Sequence, residues 1–297
     1  MQLIKLKTER RNRASANLDA LSAIKIATLM NRQDAMVPRA IRRVLPQVAK
    51  AIDLIARQLA DGGRLIYVGT GTSGRIGALD AVEIPPTYGT SRGVIQFVIA
   101  GGERALTEAA EADEDSSHLG QRDIAARRPR KSDVVVAIAA SGRTPYTIGA
   151  LQYAQKKGAA TIAVVCNHGS ELARIAQVAI EVDVGPEILT GSTRLKAGTA
   201  EKLVCNMLST GAMARLGYVY GNLMVNLQTR NKKLFERGVS IIEQVARVDR
   251  DVAVHTLRSV GMQVPVALVM LKCNLSRTEA TRRLKSSHGI VRKAMQC

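Results

Sequence analysis

The residues best suited to chemistry in this 297-residue chain lie in a short stretch of glycines and hydroxyls, Gly69-Thr-Gly-Thr-Ser-Gly74. The stretch follows an apolar run and precedes a helical pattern that begins at Arg75. A loop of this kind exposes backbone N–H groups beside the positive end of a helix, and its glycines let an anion approach the main chain. The sequence therefore predicts a phosphate site built by Gly71, Thr72 and Ser73.

The same glycines also match the dinucleotide-binding pattern G-x-G-x-x-G, which is a weak signal by itself. Two hydroxyls side by side suit a compact phosphate monoester better. In addition, no acidic residue stands about 20 residues further on, at the end of a second strand, where a ribose would be held. Phosphate-ester binding is the preferred interpretation, and a dinucleotide site or a purely structural turn are the alternatives.

Two later loops carry the same kinds of side chain. Each follows an apolar, β-rich run and precedes a helical pattern. Ligands of parallel sheets bind beyond the carboxyl ends of the strands, so these loops are expected at the same edge as the first. A helix cap is the simpler role for any one of these residues alone. The further candidate phosphate ligands are Ser141, Thr144, Ser192, Thr193 and Lys196.

Five β-rich runs in all occur, at residues 65–68, 94–99, 134–138, 161–165 and 178–182. Most are separated by helix-length segments, which is typical of a parallel sheet covered on both faces. The predicted fold is therefore α/β, with a doubly wound, five-stranded parallel sheet.

Three regions are predicted: a helical N-terminal arm at residues 1–50, the α/β domain at 51–237 and a small helical domain at 238–297. In the last region Asp249 is expected to open a helix, and Ser276 with Glu279 forms a capping-box pattern. The arm is expected to pack on the main domain or on a second subunit. Its expected buried face consists of Leu18, Leu21, Ile24, Ile26 and Leu29.

Composition excludes several function classes. The net charge is +18, but the basic residues are dispersed and aromatic residues make up 3% of the chain, so a nucleic-acid partner is not expected. No run of 18 apolar residues and no signal-peptide pattern occurs, which favours a cytoplasmic protein without a membrane partner. The cysteines and histidines lack metal-ligand spacing, so neither a metal nor another cofactor is expected.

Taken together, the motifs resemble the sugar isomerase (SIS) domain of bacterial N-acetylmuramic acid 6-phosphate etherases. The resemblance extends over nearly the whole chain. It implies an SIS-type fold, a small ubiquitin-associated-like (UBA-like) three-helix domain at the C-terminus and a homodimer. It also implies a sugar-phosphate substrate whose lactyl ether is cleaved to give N-acetylglucosamine 6-phosphate and D-lactate in cell-wall recycling. The segments that carry it are residues 69–75, 83–89, 139–146, 190–200 and 221–225.

Such a cleavage needs two acid/base groups. In the ring-opened sugar the C2–H lies beside an aldehyde, so a base can remove it while an acid protonates the departing ether oxygen. Glu83 precedes Pro85-Pro86 at the end of the predicted helix, where the negative end of the helix dipole favours a general acid. By resemblance, Glu83 matches the proton donor and Glu114 the second catalytic carboxylate, assigned here as the base. The two roles are exchangeable. The chain differs from the family pattern beside these glutamates, at Val82, Ile84, Ala112 and Asp113.

Three other functions compete with this interpretation. A non-catalytic sugar-phosphate sensor, as in glucokinase regulatory proteins, predicts two tandem SIS units, and this chain has room for one. A transcription regulator needs a DNA-binding head, for which the first fifty residues are short. An aldose–ketose isomerase needs one base and leaves the pair of glutamates unexplained.

Overall fold

The computed structural model describes residues 6–108, 113–229 and 231–296. Its strands are β1 (Leu65–Gly69), β2 (Ile95–Ile99), β3 (Val134–Ile138), β4 (Ala160–Val165) and β5 (Val178–Glu181). Its α-helices are α1 (Ala23–Asp34), α2 (Val37–Arg42), α3 (Leu45–Ala60), α4 (Gly71–Tyr88), α5 (Ser117–Ala126), α6 (Pro145–Lys156), α7 (Glu171–Ile175), α8 (Lys196–Arg215), α9 (Lys232–Ile242), α10 (Arg250–Ser259), α11 (Val264–Cys273), α12 (Arg277–Ser286) and α13 (Val291–Ala294).

The five strands form one parallel sheet in the order β2-β1-β3-β4-β5. Every residue of β1, β3 and β4 is buried, which is the expected state of central strands with helices on both faces. These strands consist mainly of valine, isoleucine and alanine, whose side chains pack well on a pleated surface. The predicted α/β fold and its five strands are confirmed.

The register of the sheet places the loops after β1 and β3 at adjacent positions along its carboxyl edge. Gly69, the last residue of β1, pairs with Ile99 of β2 and with Ile138 of β3. The chain therefore leaves β1 and β3 at adjacent points of the carboxyl edge. The segments that follow, at residues 70–73 and 139–144, start side by side.

One hydrophobic core lies between the sheet and helices α5 and α6. Alternate residues of a strand point to opposite faces, so Val135 and Ala137 of β3 share this core with Ile66 and Val68 of β1. The helices contribute fully buried side chains that include Leu151 of α6. This packing fixes the positions from which α5 and α6 begin.

The chain divides into two compact units. The first comprises residues 1–82 and 93–209 and contains the sheet. The second comprises residues 83–92 and 210–297 and has its own apolar core, built mainly by α9, α10 and α11. Within it, Asp249 is the N-cap of α10, and Ser276 and Glu279 form the predicted capping box of α12. The UBA-like character of this region and the predicted domain boundaries stay predictions.

The N-terminal arm is anchored by its first residues. Asn167, just after β4, donates a hydrogen bond to Thr8, and the Ser15 hydroxyl donates to the carbonyl of Ile188 at 2.6 Å. By contrast, no residue of α1 is buried, and Ile24 is 73% exposed. Within one chain the predicted face is therefore not buried at Ile24, while its other four residues are half-buried. Packing of this face on a second subunit stays a prediction.

Among the described residues no single helix is both long and apolar enough to cross a membrane; only α10 and α11 taken together, bent by 118°, reach that length and composition.

Candidate functional site

The predicted phosphate loop is shorter than its sequence indicates. Helix α4 begins at Gly71 and not at Arg75, and the amide of Gly74 donates to the carbonyl of Thr70 at 2.9 Å. Thr72 and Ser73 therefore lie in the first turn of the helix. The first N–H groups of a helix have no acceptor within it, so this turn points free donors and a positive dipole beyond β1.

Glycines permit the close approach of strand and helix at this point. A Cβ atom on Gly69 would lie 2.7 Å from the amide nitrogen of Gly74, and one on Gly74 would lie 2.6 Å from the side chain of Ile99. Gly71 has φ +48°, in the left-handed region that favours glycine. The glycines thus serve the sharp turn from strand to helix.

The first turn of α4 packs against the first turns of α8. A Cβ atom on Gly198 would lie 3.4 Å from the methyl carbon of Thr72, which is an ordinary contact. A hydrogen bond of 2.9 Å joins the Ser73 hydroxyl to Glu201 Oε1. Glu201 is 1% exposed, and its burial raises the pKa of its carboxyl to about 8. The sequence offered no sign of this contact, because one glutamate in a helical pattern usually faces solvent.

Glu114 lies beside the same turn. A Cβ atom on Gly71 would stand 3.1 Å from Glu114 Oε1, and the glutamate is half-buried. Its carbonyl accepts a hydrogen bond of 3.1 Å from the amide of Tyr146 in the first turn of α6. One predicted catalytic carboxylate is therefore next to the predicted phosphate site. Its neighbours Glu111 and Ala112 lie outside the described residues.

The loop after β3 leads into α6 as predicted, with Pro145 as the first helical residue and Thr144 as the N-cap. The Thr144 side chain makes no capping hydrogen bond, while the Ser141 hydroxyl accepts one of 3.2 Å from the amide of Arg143. Both residues are half-buried. They lie on the segment that starts beside the first turn of α4.

The start of α8 is already capped by a carboxylate of the chain itself. Glu187 is fully buried and accepts the amides of Lys196 at 3.0 Å and Ala197 at 2.9 Å. Burial raises the pKa of Glu187, although these hydrogen bonds oppose the shift. The Lys196 amine is buried as well and donates to Gln33 Oε1 at 3.0 Å, and burial lowers its pKa. A phosphate therefore has to share this helix end with Glu187.

Ser192 and Thr193 lie on the half-buried loop just before α8. The amide of Gly198, in the first turn of α8, donates to the carbonyl of Thr193 at 2.9 Å. This hydrogen bond ties the loop to the start of the helix. Since a Cβ atom on Gly198 would be in contact with Thr72, this loop approaches the first turn of α4. The structure thus brings together Gly71, Thr72, Ser73 and Glu114, with the start of α8 alongside.

Glu83 occupies a different part of α4. The helix continues through Pro85 and Pro86 to Tyr88, so Glu83 lies more than a turn before its end. The dipole argument from the sequence loses its force there, because the effect falls off within the last turn. Glu83 is exposed, and it belongs to the second compact unit, whereas Gly71 belongs to the first.

Arg75 helps to hold the start of α4 in place, a role that the sequence alone does not indicate. Its guanidinium donates to the carbonyls of Ala105 at 2.9 Å and Glu108 at 2.6 Å. It thereby ties the start of α4 to the segment after β2, which leads towards Glu114. Among the described residues no group of three or more histidine, cysteine or acidic side chains is arranged to hold a metal ion.

Comparison with known proteins identifies the fold. The SIS domain family matches residues 125–210, and the N-terminal SIS domain of glucokinase regulatory protein matches residues 47–155. Among solved structures, the phosphoheptose isomerase of Neisseria gonorrhoeae is similar with a TM-score of 0.51 at 17% identity, covering 65% of this chain and 100% of that one. The phosphoheptose isomerase of Francisella tularensis gives 0.50 at 16% identity, with the same coverage. The predicted SIS-type fold is confirmed.

Relatives named N-acetylmuramic acid 6-phosphate etherase match the chain from end to end. The protein of Clostridium beijerinckii is 46% identical over 100% of this chain and 97% of its own length. Those of Oenococcus oeni and Yersinia pestis are 49% and 50% identical over 99% of this chain and 99% and 100% of their own. The chain therefore belongs to the N-acetylmuramic acid 6-phosphate etherase family, as its motifs predicted.

Proposed function

We propose that this chain is a carbon–oxygen lyase that cleaves the D-lactyl ether of N-acetylmuramic acid 6-phosphate to give N-acetylglucosamine 6-phosphate and D-lactate. The observation that carries the proposal is the position of Glu114, whose Oε1 would be 3.1 Å from a Cβ atom on Gly71. A carboxylate is thus beside a helix N-terminus suited to phosphate, in a chain whose relatives carry the etherase name. The family resemblance also supports a role in cell-wall amino-sugar recycling in the cytoplasm.

The first turn of α4 binds the 6-phosphate in this proposal. The amides of Gly71, Thr72 and Ser73 and the two hydroxyls supply donors, and the helix dipole favours the negative charge. Lys196 is proposed as an additional ligand. The hydroxyls of the two neighbouring loops are proposed as well, namely those of Ser141, Thr144, Ser192 and Thr193. A ligand role for Lys196 requires that its amine exchange Gln33 for phosphate.

The reaction proceeds as an elimination followed by hydration. Glu114 takes the proton from C2 of the ring-opened sugar, the C3–O bond breaks, and Glu83 gives a proton to the lactate oxygen as it leaves. Water then adds at C3 of the unsaturated sugar and C2 regains a proton, so both carboxyl groups return to their starting state. General acid and base groups of this kind contribute about 10²–10⁴-fold each to a rate.

We infer that Glu83 reaches the sugar from a second copy of the chain. Glu83 is exposed, and it belongs to the second compact unit, whereas Gly71 belongs to the first. The apolar side chains of Leu79 and Val82, on the same stretch of α4, are 50% and 55% exposed. Exposed apolar side chains beside a functional residue suit an interface between two identical chains. The proposed assembly is therefore a homodimer with shared sites.

Incubation with N-acetylmuramic acid 6-phosphate in H₂¹⁸O tests the reaction. We expect D-lactate without label and N-acetylglucosamine 6-phosphate with ¹⁸O at C3, because the sugar C3–O bond is the one that breaks. Glu114→Gln is expected to lower kcat by about 10²–10⁴-fold. Asp115→Asn, which removes an exposed carboxylate one residue away, serves as the control and is expected to keep kcat.

Other outcomes point to the competing functions. An isomerised sugar phosphate without lactate would identify an aldose–ketose isomerase. Binding of the substrate without any turnover would identify a sensor. Label in the lactate would contradict the elimination, since the other C–O bond would then have broken.

Mixing two inactive variants tests the shared site. If Glu83 acts across the dimer, a dimer of one Glu83→Gln chain and one Glu114→Gln chain contains one intact site and one doubly defective site. Random exchange of subunits then restores about one quarter of the wild-type activity. If both glutamates of a site came from one chain, mixing would restore nothing.

A further inference from the structure

Glu201 is a buried carboxyl group that the proposed reaction does not use. It lies on α8, is 1% exposed, and is joined to Ser73 by a hydrogen bond of 2.9 Å. Ser73 belongs to the turn that receives the phosphate. An ionised carboxylate at this position would repel a phosphate group, so its protonation state bears directly on binding.

The direction of the hydrogen bond between the two residues decides what Ser73 can offer a ligand. A serine hydroxyl has one hydrogen to donate and two lone pairs that accept. If Glu201 is ionised, Ser73 must donate to it, and the lone pairs of Ser73 then face the anion. If Glu201 is a neutral acid, its own hydrogen goes to Ser73 Oγ and the serine hydrogen is free for the phosphate. A separation of 2.9 Å fits both arrangements.

The surroundings of Glu201 favour the neutral acid. Burial raises its pKa to about 8: the hydrogen bond with Ser73 opposes this shift, and the nearby carboxylate of Glu187, in the segment before α8, adds to it. Cys166, after β4, and Cys205, one turn further along α8, also face it. Burial raises the pKa of both thiols, so they stay neutral where Glu201 titrates. From α4, Ser73 is its contact.

We propose that Glu201 is a positioning residue of the phosphate site: as a neutral acid it donates to Ser73 and thereby directs the serine hydrogen towards the phosphate of the substrate. Ionisation of Glu201 reverses the hydrogen bond and adds a negative charge beside the ligand. This inference rests on the proposed function, because it assigns the ligand to the first turn of α4. It predicts that sugar-phosphate affinity falls as the solution becomes alkaline.

Calorimetric titration with N-acetylglucosamine 6-phosphate from pH 7 to pH 9 tests the inference. A phosphate monoester has its second pKa at about 6, so the ligand is a dianion throughout and contributes no pH dependence of its own. For wild type we expect binding about tenfold weaker at pH 9 than at pH 7, because only the neutral fraction of Glu201 is competent. Glu201→Gln is expected to show no such change, since its amide donates to Ser73 at every pH.

Asp80→Asn is the matched control. Asp80, on α4, is like Glu201 a buried residue whose carboxyl pKa is raised by burial. It accepts hydrogen bonds from Tyr67, Asn206 and Ser209 and not from Ser73. We expect this variant to keep the wild-type fall in affinity. Ser73→Ala is a second probe, which should bind weakly at both pH values and show a smaller fall than wild type, because only the repulsion by ionised Glu201 remains when the hydroxyl is lost.

Infrared difference spectra provide a readout that does not depend on binding. At pH 7 the wild type should have a protonated carboxylic acid band that Glu201→Gln lacks. The inference is overturned if wild type binds equally at pH 7 and pH 9, or if Glu201→Gln keeps the fall in affinity. Failure of wild type to bind the sugar phosphate at any pH would instead contradict the proposed function.

Discussion

Glu114 lies against Gly71 so closely that a methyl group on Gly71 would stand 3.1 Å from the carboxylate oxygen Oε1. This contact joins the residue proposed as base to the turn proposed to bind phosphate. Each can therefore be disturbed through the other. The backbone of Gly71 adds a second constraint, because its φ is +48°.

Gly71→Ala is expected to lower kcat by about tenfold to a hundredfold, because small displacements of a catalytic group have effects of this size. The new methyl group pushes the carboxylate of Glu114 away from its place. The positive φ also costs about 1–2 kcal/mol of stability. Steady-state kinetics and urea unfolding measure the two effects separately.

Gly62→Ala is the matched control for this substitution. Gly62 also has a positive φ, of +74°, but a Cβ atom there would meet nothing within 4 Å. We expect a similar loss of stability with unchanged kcat. Equal loss of activity in both variants would show that strain alone, and not the contact with Glu114, is responsible.

The strands were predictable from the sequence because buried parallel strands are continuous apolar runs, as residues 134–138 illustrate. The start of α4 was not, since three glycines in six residues look like an open loop. Here the tight packing of Gly74 against Ile99 lets the helix begin at Gly71.

The chemistry was predictable only in part. Glu114 was singled out by its motif and lies beside Gly71, and its catalytic role stays a prediction. Glu201 and Glu187 were missed because neither has a local pattern: their roles come from contacts with Ser73, over 128 positions, and with the amide of Lys196. Burial in three dimensions, which spacing does not reveal, turns these ordinary glutamates into unusual acids.

Glu201 is also expected to make the stability of the protein pH-dependent. Its carboxyl has a pKa of about 8 in the folded chain, raised from an ordinary value of 4.5. Between these values the folded state holds a proton that the unfolded state has released, so wild-type stability falls as the pH rises. Glu201→Gln removes this fall. The free energy of unfolding of the variant should therefore rise relative to that of wild type by at most about 1.4 kcal/mol per pH unit between pH 5 and pH 8.

Urea unfolding of both proteins at several pH values measures the difference. The gap should stop growing above about pH 8, where both states of wild type are ionised at this position. A constant gap across the range would mean that Glu201 is already ionised in the folded protein at pH 5. The positioning role proposed for it would then be untenable as well.

Asp133 links the N-terminal ends of β1 and β3. Its fully buried carboxylate accepts the amide and the guanidinium of Arg64, the latter at 2.6 Å, and the amide of Arg130 at 2.9 Å. Burial alone would raise the pKa of Asp133, but these hydrogen bonds outweigh it and hold the pKa below its ordinary value. Asp133→Asn is expected to cost about 1–3 kcal/mol at pH 7, because the hydrogen bonds from Arg64 lose their charged acceptor.

The pH dependence of that cost has a definite sign. A lowered carboxyl pKa contributes stability that is present above the unfolded value of 3.8 and is lost as the pH falls through the folded value. The difference between Asp133→Asn and wild type should therefore stay constant from pH 7 to pH 5 and shrink below pH 4. Chemical unfolding followed by circular dichroism measures it, and a difference that grew in acid would refute the assignment.

The proposed homodimer gives a final prediction. Leu79 lies one helical turn before Glu83 on α4 and is 50% exposed, so in the proposed assembly a second chain covers it. Leu79→Glu places a charge in that interface and is expected to shift the protein from dimer to monomer in sedimentation equilibrium. Activity should fall in parallel, because a monomer lacks the partner's Glu83.

Val252→Glu is the control for this substitution. It alters a comparably exposed apolar residue of the second unit, at 44%, and should leave the oligomeric state and the activity unchanged. A fully active monomer would exclude a shared site.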